Sequence, residues 1–139
     1  MLLIGIVLAA VAVFVAKQHG DPDPLVGQAA VIDGDTVRVA GQKVRLQGLA
    51  APELHEPGGL EAKNTLIEFV SGQRITCELD GTTSYDRVVG ICYADGRDLA
   101  AELVMRGLAR DCERFSGGRY RELEPSISQD LPLPGYCSP

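Results

Sequence analysis

The chain has 139 residues, of which 45% are hydrophobic and 23% charged, so its composition is that of a folded globular protein and not of a disordered one. Its formal net charge is −6. Because proteins that bind nucleic acid tightly usually carry a basic excess, this balance argues against tight nucleic-acid binding, although it does not exclude a small local cationic site.

The first 17 residues form an apolar N-terminal segment, and Leu2 to Ala16 contains almost no polar side chain. The run is shorter than the roughly 20 residues of a membrane-spanning helix. Its length fits the hydrophobic part of a signal peptide, but no Lys or Arg precedes it. A cleaved signal and an uncleaved membrane anchor both remain open, and we favour the anchor. Either predicts an exported protein, periplasmic or extracytoplasmic, that meets the membrane through its N-terminus.

A linker over residues 18–26, rich in Gly, Asp and Pro, leads into a predicted three-stranded meander. Asp33-Gly34 and Gly41-Gln42 are typical turn dipeptides between short alternating runs. On that alternation Val44 and Leu46 share one face of the third strand, and Arg45 and Gln47 share the other. The predicted strands are 27–32, 36–39 and 44–47.

The second half of the domain predicts a helix, a strand pair and another helix. Apolar residues at helical spacing favour helices over Leu60–Val70 and Leu99–Arg106, the second capped by Asp98. Strands are expected over 74–79 and 87–94, with a polar loop over 80–86 between them. Five strands with a helix after the third predict a mainly β fold with α: a five-stranded OB-type barrel with two or three packed helices.

Four cysteines stand at 77, 92, 112 and 137, and an even number in a small exported domain predicts two disulfides. The absence of any Cys-x-x-Cys pair argues against a zinc site. Three pairings are possible. We favour Cys77–Cys92, because the two residues fall in strands that could pair, and Cys112–Cys137, which would tether a Pro-rich tail over residues 116–139. That tail is expected to contain at most a short helix near 119–123.

Two aspartates, two arginines and one glutamate are the candidate chemical residues. Asp33 and Asp35 surround a turn glycine, so they could simply stabilise the turn, or they could offer oxygen ligands to a hard cation. Arg45, Arg87 and Glu53 could each be ordinary surface residues. Together they would suit phosphodiester cleavage, since guanidinium groups stabilise charge on phosphate and a carboxylate can activate water.

Three motifs in order resemble the staphylococcal nuclease (thermonuclease) family: the segment 31–39 continued by Val44-Arg45-Leu46 and Ala51-Pro52-Glu53; Tyr85-Asp86-Arg87 with 93–96; and the pair 101–104 and 106–109. The resemblance covers residues 27–115, which we assign as the domain. It implies an OB barrel and calcium-dependent cleavage of DNA or RNA.

The resemblance also implies roles for individual residues. Asp35 takes the place of a calcium ligand, with Asp33 near the metal and the backbone carbonyl of Ala51 as a further ligand. Arg45 and Arg87 take the places of the phosphate-binding arginines, and Glu53 that of the catalytic glutamate. Tyr85 falls where a tyrosine contacts the nucleotide.

Several positions depart from the family pattern. Ala50 stands where a second calcium-binding aspartate is usual, which predicts a weakened or absent calcium site. His55 could replace the lost ligand, although a solvated loop histidine is the simpler interpretation. Asp86 replaces a glycine and could repel substrate. Glu113 and Phe115 replace later tyrosines, and the Pro-rich tail replaces a basic helix.

These observations leave three hypotheses. The first is an exported, monomeric nuclease that hydrolyses nucleic-acid phosphodiester bonds with the help of a metal. The second is a catalytically degenerate relative that acts as a binding or interaction module in the cell envelope. The third is a small structural domain without a ligand site. We favour the first, because the positions that act on phosphate and on water are all present.

Overall fold

The computed structural model describes residues 20–139, so the predicted apolar segment 1–17, with its membrane contact, lies outside the described residues. Within residues 20–139, no helix is long and apolar enough to cross a membrane. This part of the chain is mainly β, with three α-helices and three short 3-10 turns. The strands are β1 (Leu25–Gly27), β2 (Ala29–Asp33), β3 (Thr36–Val39), β4 (Gln42–Leu46), β5 (Leu49–Ala50), β6 (Ile75–Ser84), β7 (Arg87–Ala94), β8 (Arg97–Asp98) and β9 (Arg110–Asp111). The helices are α1 (Gly59–Val70), α2 (Leu99–Met105) and α3 (Glu113–Ser116), and the 3-10 turns are Arg121–Leu123, Ser126–Asp130 and Gly135–Cys137.

Seven strands form one mixed sheet in the order β1-β6-β7-β4-β3-β2, with β8 paired to β7. Only β4 and β7 run parallel within this sheet. The strands β1 and β2 stand at the two ends of this order and do not pair with each other, so the hydrogen-bonded sheet is not closed. The strand pairing therefore does not confirm the expected five-stranded barrel. The difference arises from strands of two or three residues, which are too short to carry an alternating pattern: β1 joins the sheet, and β5 pairs with β9 in a separate ribbon.

The meander places its apolar side in the core. Val37, Val39 and Val44 are completely buried and Leu46 is 1% exposed, as the alternation predicted. Burying each such side chain stabilises the fold by about 1.5–3 kcal/mol. Since successive residues of a strand point to opposite faces, the same packing directs Arg45 to the other face.

Both predicted helices are present and close the core. Ala62, Leu66 and Val70 form the buried stripe of α1, which packs against β2 and α2. The Asp98 carboxylate accepts hydrogen bonds from the amides of Ala100 and Ala101, so it caps α2 as its position predicted.

The predicted polar loop over 80–86 is wrong, because β6 continues to Ser84 and leaves only Tyr85-Asp86 as the turn to β7. A register irregularity between Leu79 and Thr83 lets the strand pass a turn-like segment. There the Asp80 carboxylate accepts hydrogen bonds from the amide and the hydroxyl of Thr82. Residues that form such local side-chain bonds are typical of loops, so the sequence pattern predicted a loop here.

Two disulfides join the described residues. Cys77 and Cys92 are direct partners across β6 and β7, so their bond staples that hairpin. Cys112 and Cys137 join the end of β9 to the tail. The tail is not loose: Ser128 is completely buried, and an added Cβ at Gly107 would lie only 2.8 Å from Ile127. The expected short helix near 119–123 is a 3-10 turn.

Candidate active site

Three neighbouring strands bring the central polar residues together. Thr36 in β3 is the direct partner of Arg45 in β4, and Arg45 lies beside Val89 in β7. Arg87 stands two residues before Val89, so it shares the same face of the sheet. Both predicted arginines therefore lie beside Asp35, which directly precedes β3.

The Asp35 carboxylate lies between the two guanidinium groups. Its Oδ2 is 3.4 Å from Arg45 Nε, and its Oδ1 is 3.6 Å from Arg87 Nη1. The Thr36 hydroxyl donates to Asp35 Oδ1 at 2.7 Å and accepts from Arg87 Nη1 at 2.9 Å. Thr36 is only 3% exposed, so this hydroxyl is a buried and fully used link between the carboxylate and the second arginine.

Backbone and hydroxyl acceptors hold each arginine in place. Arg45 donates to the carbonyls of Leu46 and Leu49, both at 2.8 Å. Arg87 donates to the carbonyl and the hydroxyl of Ser84, at 3.2 and 2.9 Å. A guanidinium group has five N–H donors, so each arginine keeps donors for a further oxyanion in an orientation that is already fixed.

The pKa values of the two aspartates are shifted in opposite directions. Burial, a hydrogen bond with Asp35, the Asp35 charge and, more weakly, the Glu53 charge raise the pKa of Asp33 to about 6. Burial opposes the charged form of Asp35 too, but Arg45, the hydrogen bonds from Asp33 and Thr36, and Arg87 hold the pKa of Asp35 below its usual range. Asp35 is therefore the permanently charged member of the pair at neutral pH.

Glu53 lies in the loop between β5 and α1, and its charge is the weakest of the causes that raise the pKa of Asp33. Its side chain is exposed, while its backbone is held: its amide donates to Glu56 Oε1 at 2.8 Å, and its carbonyl accepts from the Glu56 amide at 2.9 Å. A Cβ at Gly59 would lie 1.9 Å from the Glu53 carbonyl oxygen, so the loop rests directly on the first turn of α1.

The aspartate turn rests on the same helix. A Cβ at Gly34 would lie 3.0 Å from the Cβ atoms of both Ala51 and Ala62. Close packing therefore favours glycine at position 34, and this contact holds Asp33 and Asp35 beside the start of the Glu53 loop.

Ala50 packs against the Cys112–Cys137 disulfide. It is 3% exposed and forms a small buried cluster with Cys112 and Cys137. No group of three or more His, Cys, Asp or Glu residues suited to a metal occurs within residues 20–139. The donors that the family resemblance assigns are Asp35, the Ala51 carbonyl and, through water, Asp33. They fit a divalent cation that keeps much of its hydration shell, and they do not fit a calcium centre enclosed by protein ligands.

The other residues singled out in the sequence lie at the margin. Tyr85 is 96% exposed at the tip of the β6–β7 turn, two residues from Arg87. His55 is an exposed loop residue. Asp86 does not face the site as a free charge, because Lys43 Nζ binds it at 2.8 Å and lowers its pKa. Glu113 forms an ion pair with Arg121, and Phe115 lies against Tyr136, with ring centroids 6.4 Å apart.

Sequence reasoning missed three contributors to this site. Thr36 and Ser84 orient Arg87, and Lys43 neutralises Asp86. Thr36 had a signal, since a threonine among buried valines, beside a charged turn, needs a polar partner. Ser84 and Lys43 had none, because each contact depends on the length of the β6–β7 hairpin.

Comparison with known proteins agrees with this geometry. The profile of the family described as "Staphylococcal nuclease homologue" matches residues 43–128. The chain is 40% identical to "Succinoglycan biosynthesis protein ExoI" of Rhizobium meliloti (strain 1021) over 91% of its own length and 72% of that protein. It is 28% identical to an "Uncharacterized endonuclease" of Haemophilus influenzae, covering 62% of this chain and 51% of that one. It is 31% identical to "Staphylococcal-like nuclease CAN1" of Arabidopsis thaliana, covering 48% and 21%.

The disulfide-linked, mainly β domain with paired arginines at a carboxylate is consistent with an OB-like fold of the staphylococcal nuclease type. The chain belongs to the staphylococcal nuclease family, since the family profile spans more than half of its residues. This membership suggests nuclease-type activity and nucleic-acid binding. The chain covers only about a fifth of the length of its plant relative, so the match does not show that it shares the activity of that longer protein.

Proposed function

We propose that this protein is an exported, metal-assisted nuclease that hydrolyses phosphodiester bonds of DNA or RNA as a monomer. The observation that carries the proposal is the convergence of Arg45 and Arg87, from different strands, on the Asp35 carboxylate. The aspartate turn packs against Ala51, at the start of the loop that carries Glu53. Two pre-oriented guanidinium groups, with a carboxylate on the adjoining loop, suit the hydrolysis of a phosphate diester.

In this proposal the remaining N–H donors of Arg45 and Arg87 bind the two free oxygens of the substrate phosphate. They stabilise the additional charge that develops as a water oxygen adds to phosphorus. Glu53 takes the proton from that water, the bond from phosphorus to the leaving oxygen breaks, and solvent protonates the leaving oxygen. Tyr85, exposed beside Arg87, is placed to contact the nucleotide.

Asp35, the Ala51 carbonyl and, through water, Asp33 would hold the divalent cation, and calcium is the ion that the family resemblance implies. When bound, the cation would supply positive charge to the phosphate. With a single fully charged direct carboxylate, we expect weak binding that requires a high concentration of the ion.

The proposal extends to organisation and location. We take residues 27–115 to be a partly open barrel of OB type, followed by the tethered tail, with residues 1–17 as signal or anchor. Two disulfides among the described residues favour an oxidising, extracytoplasmic compartment.

The test is cleavage of single-stranded DNA and RNA by the full chain, with disulfides formed, in calcium, manganese or EDTA. We expect metal-dependent cleavage that Glu53→Gln abolishes and that Arg45→Lys, which keeps the charge but loses the planar fork, reduces at least about a hundredfold. Glu61→Gln and Arg74→Lys, at exposed positions, are the matched controls. Full activity of Glu53→Gln would refute the proposed mechanism.

The burial of Ala50 favours a second candidate, a binding module that has lost catalysis. In that case the wild-type chain binds an oligonucleotide through Arg45 and Arg87 without cutting it. A chain that neither cuts nor binds would be a structural domain.

A further inference from the structure

We propose that the disulfide-tethered tail, residues 125–139, positions the loop that carries Glu53, with Leu131 and the Cys112–Cys137 bond as its two anchors. The proposal rests on the proposed function, since it assigns these residues to control of the same site. The loop in question spans residues 51–58.

One anchor holds the residue that enters the loop. Ala50, Cys112 and Cys137 form one buried cluster, in which each residue is at most 3% exposed. Ala50 is also paired with Arg110 in the β5–β9 ribbon, and the Cys112 amide donates to the Gly48 carbonyl at 2.8 Å. The tail therefore packs, through its disulfide, on the backbone that immediately precedes Ala51.

The other anchor meets the end of the loop. A Cβ at Gly58 would lie 3.7 Å from Pro52 Cγ and 3.9 Å from Leu131 Cδ2, so both side chains lie near this glycine. Leu131 is partly buried, although Pro132 and Leu133 after it are exposed. The Leu131 amide donates to the Ser128 carbonyl at 3.0 Å, and Ser128 is completely buried, which connects the anchor to the fixed part of the tail.

The loop cannot hold its own position. Its hydrogen bonds join near neighbours: the Glu56 amide to the Glu53 carbonyl, the Gly59 amide to the Glu56 carbonyl, and the Glu53 amide to the Glu56 carboxylate. Such bonds fix a local turn but not its place on the sheet. The contact with Gly59 supports the middle of the loop, and the tail supports both flanks. Arg45 donates to the carbonyls of Leu46 and Leu49, and Arg87 donates to Ser84 and Thr36. None of these acceptors belongs to the tail, so the Leu131 anchor acts on Glu53 and not on phosphate binding.

The first experiment compares Leu131→Ala with Ile127→Ala in the full chain. Ile127 is an aliphatic residue of the same tail that contacts Gly107 and not the loop, so it is the matched control. We expect Leu131→Ala to lower kcat about tenfold, because a displacement of about 1 Å in a catalytic group can cost up to a hundredfold. KM should change less than about twofold, because phosphate binding is retained. Leu131→Met should recover most of kcat. Equal kcat values for the Leu131→Ala and Ile127→Ala variants would overturn the proposal.

The second experiment measures hydrogen exchange at the amides of Glu56 and Gly59, which does not require activity. Exchange should become faster in Leu131→Ala and in the double variant Cys112→Ala/Cys137→Ala. It should stay unchanged in Cys77→Ala/Cys92→Ala, which removes the hairpin disulfide. If the wild-type chain cleaves nothing, the proposed function fails, and exchange alone decides the positioning proposal: faster exchange supports it, and unchanged exchange overturns it.

Discussion

At the scale of single residues, the site depends on Thr36 more than on any residue that the sequence pointed to first. Its hydroxyl is the only group in the described part of the chain shown to bond both Asp35 and Arg87. This hydroxyl helps to lower the pKa of Asp35 and fixes the orientation of the Arg87 guanidinium group. Its place among buried valines indicated a need for a polar partner, but the sequence did not identify Asp35 and Arg87 as those partners.

Replacing Thr36 by valine should separate this link from packing, because the two side chains have nearly the same shape. One hydrogen bond is lost by each of two partly buried charged groups, so stability should fall by about 1–3 kcal/mol. Nuclease kcat/KM should fall at least about tenfold through misplacement of Arg87. Steady-state kinetics and thermal unfolding are the measurements, with Thr83→Val, an exposed position in β6, as control. Unchanged kinetics in Thr36→Val would show that Arg87 is held by Ser84 alone.

Gly59 gives a second prediction. Alanine in a helix is ordinarily more stable than glycine by about 1 kcal/mol. Here the added Cβ would lie 1.9 Å from the Glu53 carbonyl oxygen, so the Glu53 backbone must move. Gly59→Ala should therefore lower kcat at least about tenfold. Gly135→Ala, where a Cβ meets no atom within 4 Å, should have no effect. A fully active Gly59→Ala protein would mean that the position of the loop does not matter for catalysis.

At the scale of elements, the sequence predicts best where one face of an element is buried. The stripe of α1, the cap of α2 and the buried valines of β3 and β4 all follow from periodicity and capping. The aspartates, arginines and glutamate were candidates by residue type, but their roles were assigned only through the family resemblance. The β5–β9 ribbon has two residues in each strand, a length at which no period exists, so the surroundings of Ala50 could not be predicted.

The buried surroundings of Ala50 change the expected effect of replacing it by aspartate. From sequence, Ala50→Asp should restore the missing calcium ligand. In the structure this carboxylate would be buried against the Cys112–Cys137 disulfide, where an unpaired charge costs several kcal/mol. We expect Ala50→Asp to lower the unfolding temperature without raising activity, and to recover little in calcium. Ala50→Asn, of the same shape without the charge, should be less destabilised. Calcium-dependent gain of activity in Ala50→Asp would contradict the burial that we describe.

At the scale of the whole molecule, the net charge of −6 restricts nucleic-acid binding to a local site. An acidic protein repels a polyanion at a distance, so any binding must come from a few arginines that contact phosphate directly. Asp86 reinforces this restriction, because it forms an ion pair with Lys43, which would otherwise be a third cation available to phosphate near Arg87. The expected mode is short-range capture of one or two phosphates, in contrast to attraction along an extended basic groove.

The salt dependence of oligonucleotide binding tests this restriction. With two phosphate contacts, the slope of log affinity against log salt for single-stranded DNA should be about −1.4, since each contact contributes about −0.7. Asp86→Asn keeps the side-chain shape and releases Lys43, so the slope should steepen by about 0.7 as a third contact forms. Asp95→Asn, an exposed turn residue at the start of β8, removes the same charge elsewhere and should change affinity without changing the slope. Binding measured by fluorescence anisotropy with Glu53→Gln as the parent avoids cleavage during the titration. A parent slope steeper than about −4 would require an extended cationic surface and would contradict local capture by Arg45 and Arg87.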